Sequence, residues 1–167
     1  MPSPPSRATA LEAKRLVSEG SERRAELARS IREETGLDEA ILERLVRESY
    51  FTARHDQILG PVFERVKDWE SHIKKICAFW SSVALMTGSY HGQPMAAHLP
   101  LGLERRHFER WLVLFESTAR SICTPAAVNL LMERANRIAQ SLELGARVNH
   151  GIMPAMKLNR LGSPRAT

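Results

Sequence analysis

Residues 68–88 read DWESHIKKICAFWSSVALMTG. From Asp68 on, Trp69, Ile73, Ile76, Cys77, Trp80, Val83 and Ala84 recur at three- and four-residue steps, the spacing that gathers one face of an α-helix and predicts a helix ending near Gly88. Residues 88–102, GSYHGQPMAAHLPLG, then place Gly88, Gly92, Pro94 and Pro100 so closely that only about one turn of helix fits around Met95–His98. A second apolar helix follows, with HFERWLVLF at 107–115 and a face of Phe108, Trp111, Leu112, Phe115, Ala119 and Ile122. His98 is thus presented from a short element between two apolar helices.

Working outward, Asp38 is a good N-cap for a helix whose inward positions are Ile41, Leu42, Leu45, Val46, Tyr50 and Ala53. The stretch ILGPVFERV breaks at Gly60–Pro61 and leaves room for a short helix with Val62, Phe63 and Val66. Thr124–Pro125 reads as an N-cap and first helical residue of a last core helix, with Leu131, Ala135, Ile138 and Leu142 inward and a stop at Gly145. Residues 9–33 predict a charged helix with only Leu11, Val17, Leu27 and Ile31 as scattered apolar positions, too thin a stripe to bury. No segment alternates with period two, so the fold class is all-α.

The net charge of +5 invites a nucleic-acid reading, and its location argues against one. Residues 146–167 carry Arg147, Lys157, Arg160 and Arg165 with no acid; residues 35–145 are balanced. A nucleic-acid groove needs its cations on the folded face, so nucleic acid is disfavoured and the basic end reads as a solubility feature. The expected division is a charged helical extension at 1–34, a globular domain at 35–145 and a basic, flexible tail at 146–167. No apolar run approaches the roughly 18 residues of a membrane span, which sets no membrane and a cytoplasmic location as the expectation. Cys77 and Cys123 fall on apolar helix positions and read as buried thiols.

One side of the 68–88 helix sets His72 above Ile76, Phe79, Trp80 and Val83, and His98 can approach the same surface from the loop. A planar, apolar cofactor with an open metal position suits that arrangement: haem iron needs one protein nitrogen or sulfur and a dry pocket. His98 would supply the nitrogen, and its other ring nitrogen would need an acceptor, most simply a backbone carbonyl in the preceding turn. A zinc site from His91, His98 and His107 lacks cysteines or a close paired motif and ranks below it. Read without further context, His91 and His107 are surface residues, and a core role for Tyr50 and Trp111 stays open.

LGPVFERVKDW (59–69), HIKKICAFWSSVALMTG (72–88), YHGQPMAAH (90–98), HFERWLVLF (107–115) and RANRIAQSL (134–142) together resemble the truncated haemoglobins, specifically their third group. The resemblance covers roughly residues 37–145, in order. It implies a truncated globin fold, a two-over-two helical sandwich around haem b (iron protoporphyrin IX), here with an extra charged N-terminal helix. Carried over by position, it makes His98 the axial iron ligand, Tyr50 and Trp111 the distal donors and His72 the residue at the distal entrance. Ile76, Phe79, Trp80, Phe63, Tyr90 and Met95 would line the haem pocket. One departure is local: the family's Phe-Tyr pair stands here as Ser49–Tyr50, followed by Phe51.

The function so implied is binding of O₂ and related diatomic gases, NO and CO, at a five-coordinate iron, stabilised by the Tyr50 and Trp111 donors. One alternative is a nitric-oxide dioxygenase or weak peroxidase; the chain holds no G-x-G-x-x-G fingerprint, so such an enzyme would need a separate reductase. The other is a cofactor-free all-α interaction module.

Overall fold

The computed structural model describes residues 7–151. The called end of the basic tail, from 152 on, lies outside the described residues. Within them the elements are helices α1 (Arg7–Thr35), α2 (Glu39–Arg54), α3 (Gly60–Phe63), α4 (Trp69–Leu85), α5 (Pro94–His98), a 3-10 turn at Leu99–Leu101, α6 (Arg105–Ile122) and α7 (Pro125–Asn149). None of these helices is long and apolar enough to cross a membrane.

Caps fix where the long helices begin. Asp38, Asp68 and Thr124 each accept a hydrogen bond from a backbone N–H three residues on, those of Ile41, Ser71 and Ala127, satisfying donors that a helix start leaves orphaned. α6 starts on a reciprocal box: Glu104 accepts from the third helical residue, and His107 Nδ1 accepts from the Glu104 N–H at 2.9 Å. α4 stops where Met86 turns left-handed (φ +58°).

The four long helices after α1 close a ring of contacts. α2 packs on α4 and α6, α6 on α7, and α7 back on α4, the two-over-two arrangement of a truncated globin. The buried centre holds Leu42, Leu45 and Val46 of α2, Ile73 and Trp80 of α4, Phe115 of α6 and Leu131 of α7; burying each such aliphatic side chain stabilises by about 1.5–3 kcal/mol. Among the described residues, α1 is buried against the other helices at its C-terminal end. Ile31 and Leu37 are buried and Thr124 Oγ1 donates to the Thr35 carbonyl at 2.7 Å, whereas Leu11, Leu16, Val17 and Leu27 are exposed. Cys77 and Cys123 are free and half-buried.

One expectation about α7 is corrected. Gly145 does not stop it; the helix runs on to Asn149, capped by His150, with the left-handed glycine at Gly151 (φ +75°). Gly145 is instead a notch: a Cβ there would collide with the Met95 Sδ and Cε atoms, which occupy that space.

Candidate functional site

The helices enclose a cavity of about 440 Å³. Tyr50 enters from α2, Phe63 from α3, His72, Ile76, Phe79 and Trp80 from α4, Tyr90 from the following loop, His98 from α5, and Trp111 from α6. Nine of the ten residues singled out in the sequence therefore share one chamber, although they span residues 50 to 111. The tenth, Met95, is corrected: it is not among the lining residues, because its side chain lies in the Gly145 notch and packs with Phe108, Ala139 and Leu142.

His98 is half-buried, and its Nδ1–H donates to the Pro94 carbonyl at 2.6 Å. A carbonyl can only accept, so Nδ1 holds the proton and Nε2 keeps a free lone pair, the tautomer a metal ligand requires. Pro94 starts α5 at the position where proline's missing N–H costs nothing, which sets the turn that brings its carbonyl under the ring.

Aromatic packing holds the other walls. Trp80 and Phe115 stack at 4.6 Å and 16°, Trp111 stacks on Phe115 at 5.3 Å, and the two indoles lie 6.4 Å apart. Phe63 stands edge-on to Tyr50 at 6.0 Å and to His72 at 6.1 Å. Tyr90 meets Phe79 edge-on at 5.3 Å, and its backbone N–H donates to Ser82 Oγ at 2.8 Å, which ties the loop after α4 back to that helix.

Polar atoms in this apolar chamber are poorly satisfied. His72 Nε2, Trp80 Nε1 and Trp111 Nε1 are buried without a hydrogen-bond partner. Such orphans cost about 1–3 kcal/mol each, and a native fold carries them where a ligand or function uses them. Burial pushes the Tyr50 hydroxyl up to about 12, with the Trp111 and Trp80 N–H groups acting in the opposite direction. Tyr50 therefore stays protonated, a donor, at any ordinary pH. The His72 imidazole is pushed below its usual value first by burial, then by the charge of Lys75.

Several lining residues escaped the sequence reading. Arg65 and Lys75 are exposed cations whose side chains border the cavity, and Arg65 donates to the Pro100 carbonyl at 3.4 Å across to the turn after His98. Lys75 lies three residues after His72, so helical spacing alone sets it on the same side of α4. His107 is also corrected: expected at the surface, it is half-buried and borders the cavity.

An all-helical body with a metal-competent histidine on a short helix, facing an apolar chamber with unspent N–H donors, is a globin. The chain is 31% identical over 113 residues to the group 3 truncated hemoglobin ctb of Campylobacter jejuni subsp. jejuni serotype O:2, a match spanning 64% of this chain and 89% of that protein. It also matches the crystal structure of group III truncated hemoglobin from Campylobacter jejuni with a TM-score of 0.60 at 31% identity, over 64% of this chain and 89% of the other. No family model matches. The chain belongs to the group 3 truncated haemoglobins and is a globin-type haem protein.

Proposed function

We propose that this chain holds haem b through His98 and binds O₂ and related diatomic gases, with Tyr50 and Trp111 as the donors that retain them. The observation that carries the reading is the pairing of a His98 ring locked in the Nδ1–H tautomer with orphaned indole donors in one apolar chamber. A haem held by His98 would supply the iron that binds O₂, CO or NO.

The chain's own residues do the rest. Ile76, Phe79 and Phe63 exclude water and present flat apolar surface. Arg65 and Lys75, at the cavity's edge, would hold the two carboxylates of the macrocycle by charge while their stems cover its rim. Tyr50 would offer its O–H and Trp111 its N–H to a bound gas, favouring O₂ over the less polar CO. His72, neutral and half-buried, stands at the entrance and can also donate. Two such donors favour slow release, which suits capture or chemistry on the gas better than its delivery.

Reconstitution tests this. Purified chain should take up haem with a Soret band, and His98→Ala should lose the nitrogen ligation seen by resonance Raman in the ferrous form. Wild-type axial ligation in that variant would refute the role of His98.

A further inference from the structure

Three aromatic rings meet pairwise at the edge of the chamber. Phe63, the last residue of α3, stands 5.7 Å from Trp69 and 6.1 Å from His72, and Trp69 stands 5.8 Å from His72. Trp69 opens α4 and His72 follows three residues later, a step that makes their side chains neighbours on the helix surface. Phe63 and His72 line the cavity, whereas Trp69 is not among the lining residues. Over the Trp69 ring, 4.6 Å from its centroid, lies the guanidinium of Arg54, an exposed residue in the last turn of α2.

His72 has a reason to leave this place. Its Nε2 is buried without a hydrogen-bond partner, yet the residue is only half-buried, so a turn of the side chain toward solvent would give that nitrogen water. Contact with the two other rings opposes the turn. We propose that Trp69 and Arg54 are positioning residues that hold His72 in the cavity, and that the Arg54–Trp69 contact thereby sets how readily a gas enters past the imidazole. This rests on the reading of the chamber as a gas site. Trp69 is the surface on which His72 packs, and Arg54 pins that surface from the end of α2, because a cation over an indole is attracted by the ring's quadrupole. Without the pin the indole is freer to move, the imidazole loses part of its support, and the unpartnered Nε2 draws it out to water.

Arg54 is exposed, so replacing it leaves the core packing untouched. In the diamagnetic ferrous CO form of the full chain, Arg54→Met, which keeps the stem and removes the charge, is expected to shift the His72 ring-proton resonances away from the positions that the Trp69 and Phe63 rings impose. It should also speed CO rebinding from solvent after flash photolysis about two- to fivefold, the worth of one exposed cation–π contact. Arg54→Lys keeps a cation there and should restore most of the wild-type rate. Trp69→Leu removes the ring together with the seat of the guanidinium and should speed entry more than Arg54→Met does; a smaller effect would overturn the role of Trp69. In a His72→Ala background Arg54→Met should add nothing, because Arg54 acts through His72. Equal acceleration in both backgrounds, or His72 resonances that stay in place, would overturn the proposal and leave the haem reading intact. Failure of the chain to form a Soret band with added haem would bring down the haem reading and this inference together.

Discussion

His98 stands on a five-residue helix with no buried residue, whereas Tyr50, Trp80 and Trp111 stand on helices of 16, 17 and 18 residues that share the core. The histidine wall is held locally, by one ring-to-carbonyl bond and one methionine contact. The donor wall is held globally, by the same stacked rings that stabilise the fold. On the first wall a substitution can alter ligation without unfolding the protein; on the second, chemistry and stability are hard to separate.

The contrast breaks most visibly at Phe115, which is 0% exposed and stacked against both Trp80 and Trp111. Phe115→Ala should cost about 3–5 kcal/mol of stability in denaturant unfolding and disturb ligand retention together, although Phe115 is not among the residues lining the cavity. If retention survived intact, the donor wall would not depend on the core. Tyr50→Phe sharpens the contrast from the chemical side. It should speed O₂ release by about ten- to a hundredfold in stopped-flow, the worth of one charge-assisted hydrogen bond, while the melting temperature changes little. An unchanged off-rate would remove Tyr50 from the site.

Asp56 ties the loop after α2 to α6, within the donor wall, and gives a smaller, pH-dependent effect. Its carboxylate accepts from Arg110 of α6 at 2.8 Å and from the Ile58 and Leu59 N–H groups, shaping the loop that leads to α3. The Arg110 guanidinium first, then those backbone donors, hold its pKa below the usual value against the opposing effect of burial. A depressed folded pKa means stability that is full above about pH 4, the unfolded aspartate value, and is lost as pH falls through the folded value. Asp56→Asn should lower stability at pH 7 by about 1 kcal/mol, a figure kept small because Arg110 leaves 39% of its side-chain surface in solvent. It should also flatten the acid limb of a pH–stability curve; an unaltered limb would assign that slope elsewhere. The smallest effect is expected at Gly145. Gly145→Ala gains about 0.5–1 kcal/mol of helix propensity, offset by displacing the flexible end of Met95. Thermal melting should find it within about 1 kcal/mol of wild type, with a shifted iron–histidine Raman band as the mark of a moved α5.

What the sequence made legible follows the range of the forces involved. Asp38, Asp68 and Thr124 are legible as caps because capping acts over three residues. The brevity of α5 is legible from Pro94 and Pro100, and the helical faces of α2, α4 and α6 from periodicity. Gly145 misled because its role depends on Met95, fifty residues earlier, and no local rule distinguishes a terminating glycine from one that makes room. His107 misled likewise: its place at the cavity's edge depends on how α6 packs against the other helices. Trp80 was legible as apolar surface but not as the bearer of a buried, unpartnered N–H, since the partners of an indole depend on which neighbours the fold brings to it.

The notch at Gly145 works as a socket for a peg. Met95 and His98 are three residues apart on one short, stiff turn, so the depth to which the methionine seats against α7 also sets the reach of the imidazole. The distance between two helices is thereby converted into the length of a lever carrying the nitrogen proposed to bind the metal. A protein built this way can retune the bond proposed for His98 by changing the size of one side chain on α7, with no substitution in the chamber.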